Sequence, residues 1–191
     1  MEKSEETLID KNQKEIKNLI FNQNLIDLIN LIGGNDYFVV KSIYFDKPEK
    51  SNWFVSYHQD LTISVDKKIE QTDYSNWTKK HNQFAVQPPL NFLENIFTIR
   101  IHLDDTDENN GALKVIEKSH LKAVYRPETI DWNTEKETIC NVKSGGVMLM
   151  KPLLLHSSGK TTNQNRRRVI HIEFSNQLLP ENLNWSEFTT L

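Results

Sequence analysis

Short runs of aromatic and β-branched residues, separated by polar turns, fill most of this 191-residue chain and constrain its fold more than any other feature. Turns such as Asn109-Asn110-Gly111 and Ser144-Gly145-Gly146 divide the runs. Short strands with such connections are typical of an antiparallel β sandwich or barrel, and we predict a mainly β fold. The predicted strands are 37–45, 53–57, 61–65, 96–103, 112–116, 138–142, 147–150, 153–156 and 168–174.

One amphipathic helix is predicted before the strands. Apolar residues recur at three- and four-residue spacings from Ile16 to Ile32, and the pair Gly33 and Gly34 follows them. Such a pair supplies the left-handed backbone conformation that ends a helix. We expect this helix to pack outside the sheets.

The length of the chain fits a single domain of 1–191. We divide it into the helical segment 1–34, a β core at 35–175 and a C-terminal tail at 176–191. Between 66 and 89 lies the longest stretch without clear periodicity, for which a lid over a site and a plain surface loop are both open.

Charge and hydropathy exclude several kinds of partner. The formal net charge is −3, so there is no overall basic field for nucleic acid or anionic lipid, and we expect neither partner. No apolar run approaches the roughly 20 residues that span a bilayer. A single cysteine, Cys140, leaves no disulfide and agrees with a cytoplasmic protein. Nothing in the sequence specifies an oligomeric state.

Three residues form a candidate metal site. His58 and Asp60 lie two apart at a predicted strand end, where alternate side chains point to the same side. On its own this pair is more simply a surface ion pair. His156 closes the predicted strand 153–156 next to a polar turn and supplies a third ligand. Two histidines and one carboxylate suit a non-haem iron(II) oxygenase, because they leave coordination positions open.

An oxygenase of that kind that uses 2-oxoglutarate also needs a cation for the distal carboxylate of this co-substrate. Arginine suits this role because its fork of N–H donors matches a carboxylate. Arg167 lies eleven residues after His156, at the start of a predicted strand, and Ser158 adds a hydroxyl two residues after His156.

With these motifs the sequence resembles the phytanoyl-CoA dioxygenase family of 2-oxoglutarate oxygenases. The resemblance covers roughly 37–174 and rests on YHQD at 57–60, LDDTDENNGALKVIEKSH at 103–120, SGGVMLMKPLLLHSS at 144–158 and RRVIHIEF at 167–174. It implies a double-stranded β-helix, a jelly-roll barrel with the metal at one open end. It also implies that His58, Asp60 and His156 bind Fe(II), that Arg167 and Ser158 hold 2-oxoglutarate, and that O2 is consumed.

Arg100 departs from the family pattern, since several members carry tryptophan at this strand position. We expect Arg100 to face into the barrel, with Thr98 on the same face, and both are candidate co-substrate contacts. A buried arginine needs a partner. We expect a carboxylate of 2-oxoglutarate, of the substrate or of a nearby acidic side chain.

The substrate is expected to be a small molecule, and five side chains are candidate contacts for it: Gln59, Thr62, Trp77, Gln87 and Arg100. Ordinary core packing is the expected role of Trp53. We interpret His102 and His171 as hydrogen-bonded strand residues and His81 and His120 as loop residues, not ligands.

The resemblance implies a hydroxylation that releases succinate and CO2. Two alternatives remain open at the level of sequence. One is a non-catalytic β-barrel module that binds a small acid, and the other is a cupin-type metal isomerase or hydrolase. The carboxylate ligand and Arg167 argue against the second, which often uses three histidines.

Overall fold

The computed structural model of the protein describes residues 5–6, 14–48 and 53–191. Its helices are α1 (Lys14–Ile20), α2 (Gln23–Gly33) and α3 (Leu90–Asn95), and two short 3-10 helices cover Ser119–Lys122 and Pro127–Thr129. The strands are β1 (Glu5–Glu6), β2 (Phe38–Lys47), β3 (Val55–His58), β4 (Ile63–Val65), β5 (Ser75–Lys80), β6 (Gln83–Gln87), β7 (Phe97–His102), β8 (Leu113–Ile116), β9 (Glu137–Cys140), β10 (Val147–Met150), β11 (His156–Ser158), β12 (Arg167–Ser175) and β13 (Thr189–Thr190).

Two antiparallel sheets form the barrel. The larger sheet has the order β1-β2-β12-β7-β10, with β13 also paired to β2, and the smaller has the order β3-β11-β8-β9. Each of these sheets joins strands that are far apart in the chain. This arrangement agrees with the predicted double-stranded β-helix, so the mainly β fold is confirmed.

Helices α1 and α2 pack on the outer face of the larger sheet. Ile29 of α2 is fully buried and lies in one cluster with Ile99 and Phe174, which face outward from β7 and β12. Phe174 stacks on Phe97, with ring centroids 5.1 Å apart, and meets Phe21 edge-on. Burial of such rings gives the strands and helices a common apolar core.

Two helices replace the single predicted one. The chain turns at Phe21 and Asn22, and the Asn22 side chain accepts a hydrogen bond from the amide of Leu25 as the N-cap of α2. Gly34 ends α2 with φ 89°, as the glycine pair predicts. Residues 1–4 and 7–13 of the segment assigned to the helix lie outside the described part of the chain.

Three further elements differ from the sequence prediction. The segment 66–89 contains the hairpin β5–β6, which pairs with β4 in a three-stranded sheet. Helix α3 follows this hairpin. The strand predicted at 153–156 is also displaced, since Leu153 to Leu155 precede β11 and His156 opens that strand.

The segment described from its sequence as a C-terminal tail is anchored to the body of the domain. Leu183 and Trp185 are buried in a second core cluster with Ile63 and Val86. Glu187 accepts a hydrogen bond from the hydroxyl of Ser42 at 2.7 Å. Along the described residues, no helix is long and apolar enough to cross a membrane.

Phe174→Ala is expected to lower the free energy of unfolding by about 3–5 kcal/mol, because the ring is fully buried and the cavity left behind cannot close. Urea denaturation followed by circular dichroism measures this change. Leu31→Ala is the control, since Leu31 is 84% exposed and its truncation should cost less than about 0.5 kcal/mol. Equal losses in the two variants would contradict the packing described here.

Candidate active site

His58, Asp60 and His156 meet where the smaller sheet borders the space between the two sheets. His58 ends β3, and His156 opens β11 directly opposite it. Asp60 follows β3 by two residues, and its amide donates to the carbonyl of Pro152 at 2.9 Å. Strand pairing and one loop contact therefore fix all three side chains.

The ligand atoms of this group converge on one point. His58 Nε2 lies 3.7 Å from Asp60 Oδ1, and His156 Nε2 lies 3.8 Å from Asp60 Oδ2. All three ligand atoms lie within 4.8 Å of one another. Atoms that each bind a shared ion at roughly 2.1 Å lie about 3–4 Å apart, so this spacing fits a single metal ion.

Hydrogen bonds to the backbone orient both imidazole rings. Nδ1 of His58 donates to the carbonyl of Ser56, and Nδ1 of His156 donates to that of Leu154, each at 2.8 Å. These contacts assign the proton to Nδ1 and leave Nε2 free to bind a metal. Burial lowers the pKa of His156 to about 4, so its ring is neutral at neutral pH. The donor set therefore fits iron(II).

A cavity of about 80 Å³ adjoins the three ligands. Strands of both barrel sheets and the loops between them supply its walls. The lining residues are Phe45, Trp53, Val55, His58, Asp60, Arg100, Leu113, His156, Ser157, Ser158, Arg167 and His171. Trp53, expected in the core, is a cavity wall, because the loop before β3 brings it to the cavity.

Arg167 and Ser158 lie in this same cavity. Arg167 is 2% exposed, and its Nη1 donates to the carbonyl of Gly111. Among the described residues its Nε has no hydrogen-bond partner. A buried guanidinium with unused donors fits a carboxylate ligand. The structure thus brings the predicted clamp residues beside the predicted metal ligands.

Lys47 is a second buried cation beside Arg167, and the sequence analysis missed it. It lies opposite Arg167 in the β2–β12 pair, is 0% exposed and donates to the carbonyl of Gly159 at 2.6 Å. Its Nζ also lies 4.9 Å from the centre of the Trp53 ring. Burial and the neighbouring charge of Arg167 lower the pKa of Lys47 to about 8.

Gly111 makes room for these cations. Its φ is +85°, and a Cβ there would lie 2.7 Å from Lys47 Nζ and 2.8 Å from the carbonyl oxygen of Gly159. The Asn-Asn-Gly turn found in the sequence therefore has a steric reason as well as a turn preference.

Arg100 faces into the cavity, as predicted. Of the expected partners, a ligand carboxylate stays a prediction, and no acidic side chain among the described residues pairs with Arg100. Its Nη1 donates to Nδ1 of His171 at 2.9 Å, not to a carboxylate. The nearest acid in this network is Glu173, one step further, whose Oε1 lies 3.1 Å from His171 Nε2. His171, a residue for which the sequence analysis predicted only hydrogen bonding, therefore positions Arg100.

Five other candidate contacts lie outside the cavity lining. The amide of Gln59 is occupied by the backbone at Ala123, Leu153 and Tyr125. Thr98 is buried opposite Met150 and Glu173, and Thr62 lies just before β4. Trp77 packs against the second core cluster. Gln87 accepts a hydrogen bond from Asn76.

Residues 166–168 are three consecutive arginines, and each has a partner within the fold. Arg166 pairs with Asp46, while Arg168 pairs with Asp104 through two guanidinium nitrogens. These contacts hold the pKa of Asp104 below its usual value. The run is therefore no basic patch, because Arg166 and Arg168 form ion pairs and Arg167 is buried.

Removal of one metal ligand is expected to abolish tight binding of divalent metal. Asp60→Ala and His156→Ala should each weaken Mn(II) binding more than about tenfold, since loss of a residue that only hydrogen-bonds to a metal ligand already costs about 10- to 100-fold. Isothermal titration calorimetry measures the affinity. His81→Asn, at an exposed turn, is the matched control, and an equal loss in this variant would contradict the assignment.

Lys47 is expected to make the stability of the metal-free protein depend on pH in a specific way. Its pKa is about 8 in the folded state against 10.5 as the ordinary value, so between these values the unfolded chain binds more protons. The free energy of unfolding should therefore rise with pH across this window. Lys47→Met should remove this contribution. Urea titrations at several pH values test it, and identical slopes for both proteins would contradict it.

Solved structures share the fold at low sequence identity. The iron-bound structure of EctD from S. alaskensis has a TM-score of 0.65 and 17% identity, with 90% of this chain and 56% of that chain covered. SnoN, a non-heme alpha ketoglutarate dependent epimerase from nogalamycin biosynthesis, has a TM-score of 0.61 and 13% identity over 90% of this chain and 60% of its own.

A third structure, that of EvdMO1, has a TM-score of 0.58 and 22% identity, covering 83% of this chain and 32% of that chain. The chain thus spans between 32% and 60% of the length of these three structures. A search of curated proteins finds no match. The sequence model of the phytanoyl-CoA dioxygenase family matches residues 8–169. The chain belongs to the phytanoyl-CoA dioxygenase family.

Proposed function

We propose that the protein is an Fe(II)- and 2-oxoglutarate-dependent dioxygenase that hydroxylates a small molecule. The observation that carries this proposal is that three metal-ligand side chains and the buried Arg167 line one cavity. A metal site alone is compatible with many reactions. A buried guanidinium with free donors beside it favours a co-substrate that carries a carboxylate.

His58, Asp60 and His156 would hold iron(II) through Nε2 and carboxylate atoms. When bound, iron(II) and 2-oxoglutarate supply the oxidising chemistry, in which O2 and the co-substrate yield succinate, CO2 and one oxygen atom for the substrate. The backbone bonds from Nδ1 keep both imidazoles in the tautomer that this role requires.

The remaining lining residues would bind and orient the co-substrate. Arg167 would receive the distal carboxylate, and Ser158, which is buried beside it in the cavity, would donate its hydroxyl. The burial of these groups supports tight binding, because hydrogen bonds to charge are stronger where water is excluded. Trp53 and Phe45 would shield this end of the cavity.

The ligand set bears on the rival functions. A carboxylate ligand with a neighbouring arginine argues against the three-histidine sites of many cupin isomerases and hydrolases. A non-catalytic module has no need for a convergent metal group. Asp60 would supply the carboxylate ligand that halogenases of related type lack, which favours oxygen transfer to the substrate.

Anaerobic titration with iron(II) and 2-oxoglutarate tests this function. A metal-to-ligand charge-transfer band in the visible region is expected only when both are present. Arg167→Gln should weaken 2-oxoglutarate binding about tenfold or more, since a hydrogen bond to a charged group contributes about 1.5–3 kcal/mol.

Arg166→Gln is the matched control, because Arg166 is an exposed neighbour that pairs with Asp46 outside the cavity. Its affinity for 2-oxoglutarate should stay within about twofold of the unsubstituted protein. A protein that shows no band with both components present would contradict the proposed function. Equal weakening in the two arginine variants would remove Arg167 from the clamp.

A further inference from the structure

Arg100 is held rigidly on the inner face of the larger sheet. It lies opposite His171 in the β7–β12 pair, and its residue is 6% exposed. His171 accepts from Arg100 Nη1, and the guanidinium carbon lies 5.3 Å from the centre of the Phe45 ring. Because His171 holds the guanidinium through a hydrogen bond and the Phe45 ring packs against it, the Arg100 side chain has little freedom to rotate.

A chain of hydrogen bonds fixes the protonation state of His171. Arginine can only donate, so Nδ1 of His171 must accept and Nε2 must carry the proton. Nε2 then donates to Glu173, which is paired with Lys41 at 3.0 Å. Burial lowers the pKa of His171, in agreement with a neutral ring. Lys41 thus neutralises the charge of Glu173, and the positive charge of Arg100 is not neutralised by this acid.

The guanidinium of Arg100 has unused donors. Only Nη1 has a hydrogen-bond partner among the described residues, and Nε is buried without one. Within that same part of the chain, no carboxylate lies within ion-pair distance of Arg100. A buried guanidinium with unsatisfied donors and no neighbouring carboxylate destabilises the protein unless a ligand supplies the missing acceptors. This requirement is the same as that of Arg167.

Charge and size indicate one shared ligand. The cavity lining contains two arginines and one aspartate, a net charge of +1 with its histidines counted as neutral, and a divalent metal would raise it further. About 80 Å³ is far below the roughly 300 Å³ at which pockets for drug-sized ligands begin. The cavity is therefore small, and a single five-carbon diacid bound at the metal would occupy most of it.

The two arginines differ in their distance from the metal group. Arg167 Nη1 donates to the carbonyl of Gly111, which lies four residues before Val115, and Val115 lies opposite His156 in the β8–β11 pair. On β12, His171, the partner of Arg100, lies four residues beyond Arg167. Arg167 is therefore fixed at the Gly111 end of the cavity, and Arg100 lies further along it, toward the metal group.

We propose that Arg100 binds the metal-proximal carboxylate of 2-oxoglutarate, so that each end of the co-substrate meets one arginine. This assignment rests on the proposed function and adds Arg100 to the residues that bind the co-substrate. It also means that Arg100 gives no reason to expect an acidic primary substrate, because its charge is used by the co-substrate.

Two co-substrate analogues on two variants test the assignment. The ligands are 2-oxoglutarate and 2-oxovalerate, which has the same chain length but lacks the distal carboxylate. Dissociation constants come from the charge-transfer band under anaerobic conditions with iron(II) present. Arg167→Gln should weaken 2-oxoglutarate about tenfold or more and leave 2-oxovalerate within about twofold. Arg100→Gln should weaken both ligands by the same factor, about tenfold or more.

Two results would overturn the proposal. Unchanged affinity for both ligands in Arg100→Gln would mean that Arg100 serves another molecule. Weakening of 2-oxoglutarate alone would place Arg100 in the distal clamp. Both differ from failure of the proposed function, in which the unsubstituted protein itself shows no band.

Arg100→Lys and Arg168→Gln complete the design. Arg100→Lys keeps the charge without the fork of donors, so it should weaken both ligands less than Arg100→Gln does. The lysine variant allows the same pair of titrations if the glutamine variant does not fold. Arg168→Gln is the control, because Arg168 lies on β12 but pairs with Asp104 outside the cavity, and its affinities for both ligands should not change.

Discussion

The antiparallel pairing of β3 with β11, which sets His58 opposite His156, is the contact on which the rest of the site depends. Side chains alternate between the two faces of a strand, so a slip of one residue would turn His156 away from the cavity. On its other side, β11 pairs with β8, where Val115 lies opposite His156. The register is therefore fixed from both sides, so the sheet sets the placement of both histidines, while the contact of the Asp60 amide with Pro152 fixes the third side chain.

Side chains of the larger sheet alternate in the same way, but its outer face is apolar and its inner face is polar. Outward side chains of β7 and β12, such as Ile99 and Ile172, are apolar and pack against the helices. Inward side chains on the same strands include Arg100, His171 and Arg167. These strands are thus buried on both faces, with an apolar core on one and a polar site on the other. The apolar face stabilises the fold, which lets the inner face carry buried charge.

Local patterns predicted the parts of the fold that depend on neighbours in sequence. Most strands and the helix end at Gly34 follow from two-residue alternation and turn residues. Asn22 was an available signal for the break between α1 and α2, but the apolar periodicity continues through it because both helices face one sheet. The hairpin β5–β6 was missed because most of β5 is exposed, so burial on one face does not mark it.

Contacts between distant strands could not be predicted in this way. Lys47 and Arg167 are neighbours only through the register of β2 on β12, which no local pattern specifies. The candidate metal ligands could be identified from the sequence because their residue types and spacing form a chemical motif. The role of Lys47 depends on packing between distant strands and has no such motif. For the same reason Trp53 and Trp77 were assigned to opposite environments from those they occupy.

On the proposed function, the buried cations also couple the two ligands of the site. Arg100 lowers the pKa of Arg167, and Arg167 lowers that of Lys47, so the positive charges destabilise one another when no anion is bound. A divalent metal adds to this positive field, while a dianion relieves it. On the proposed function, each ligand would therefore improve the binding of the other, and such coupling is reciprocal by thermodynamic necessity. Repulsion among these charges weakens the folded protein when no ligand is bound. The same repulsion would favour the protein with both metal and diacid bound over the protein with only one of them.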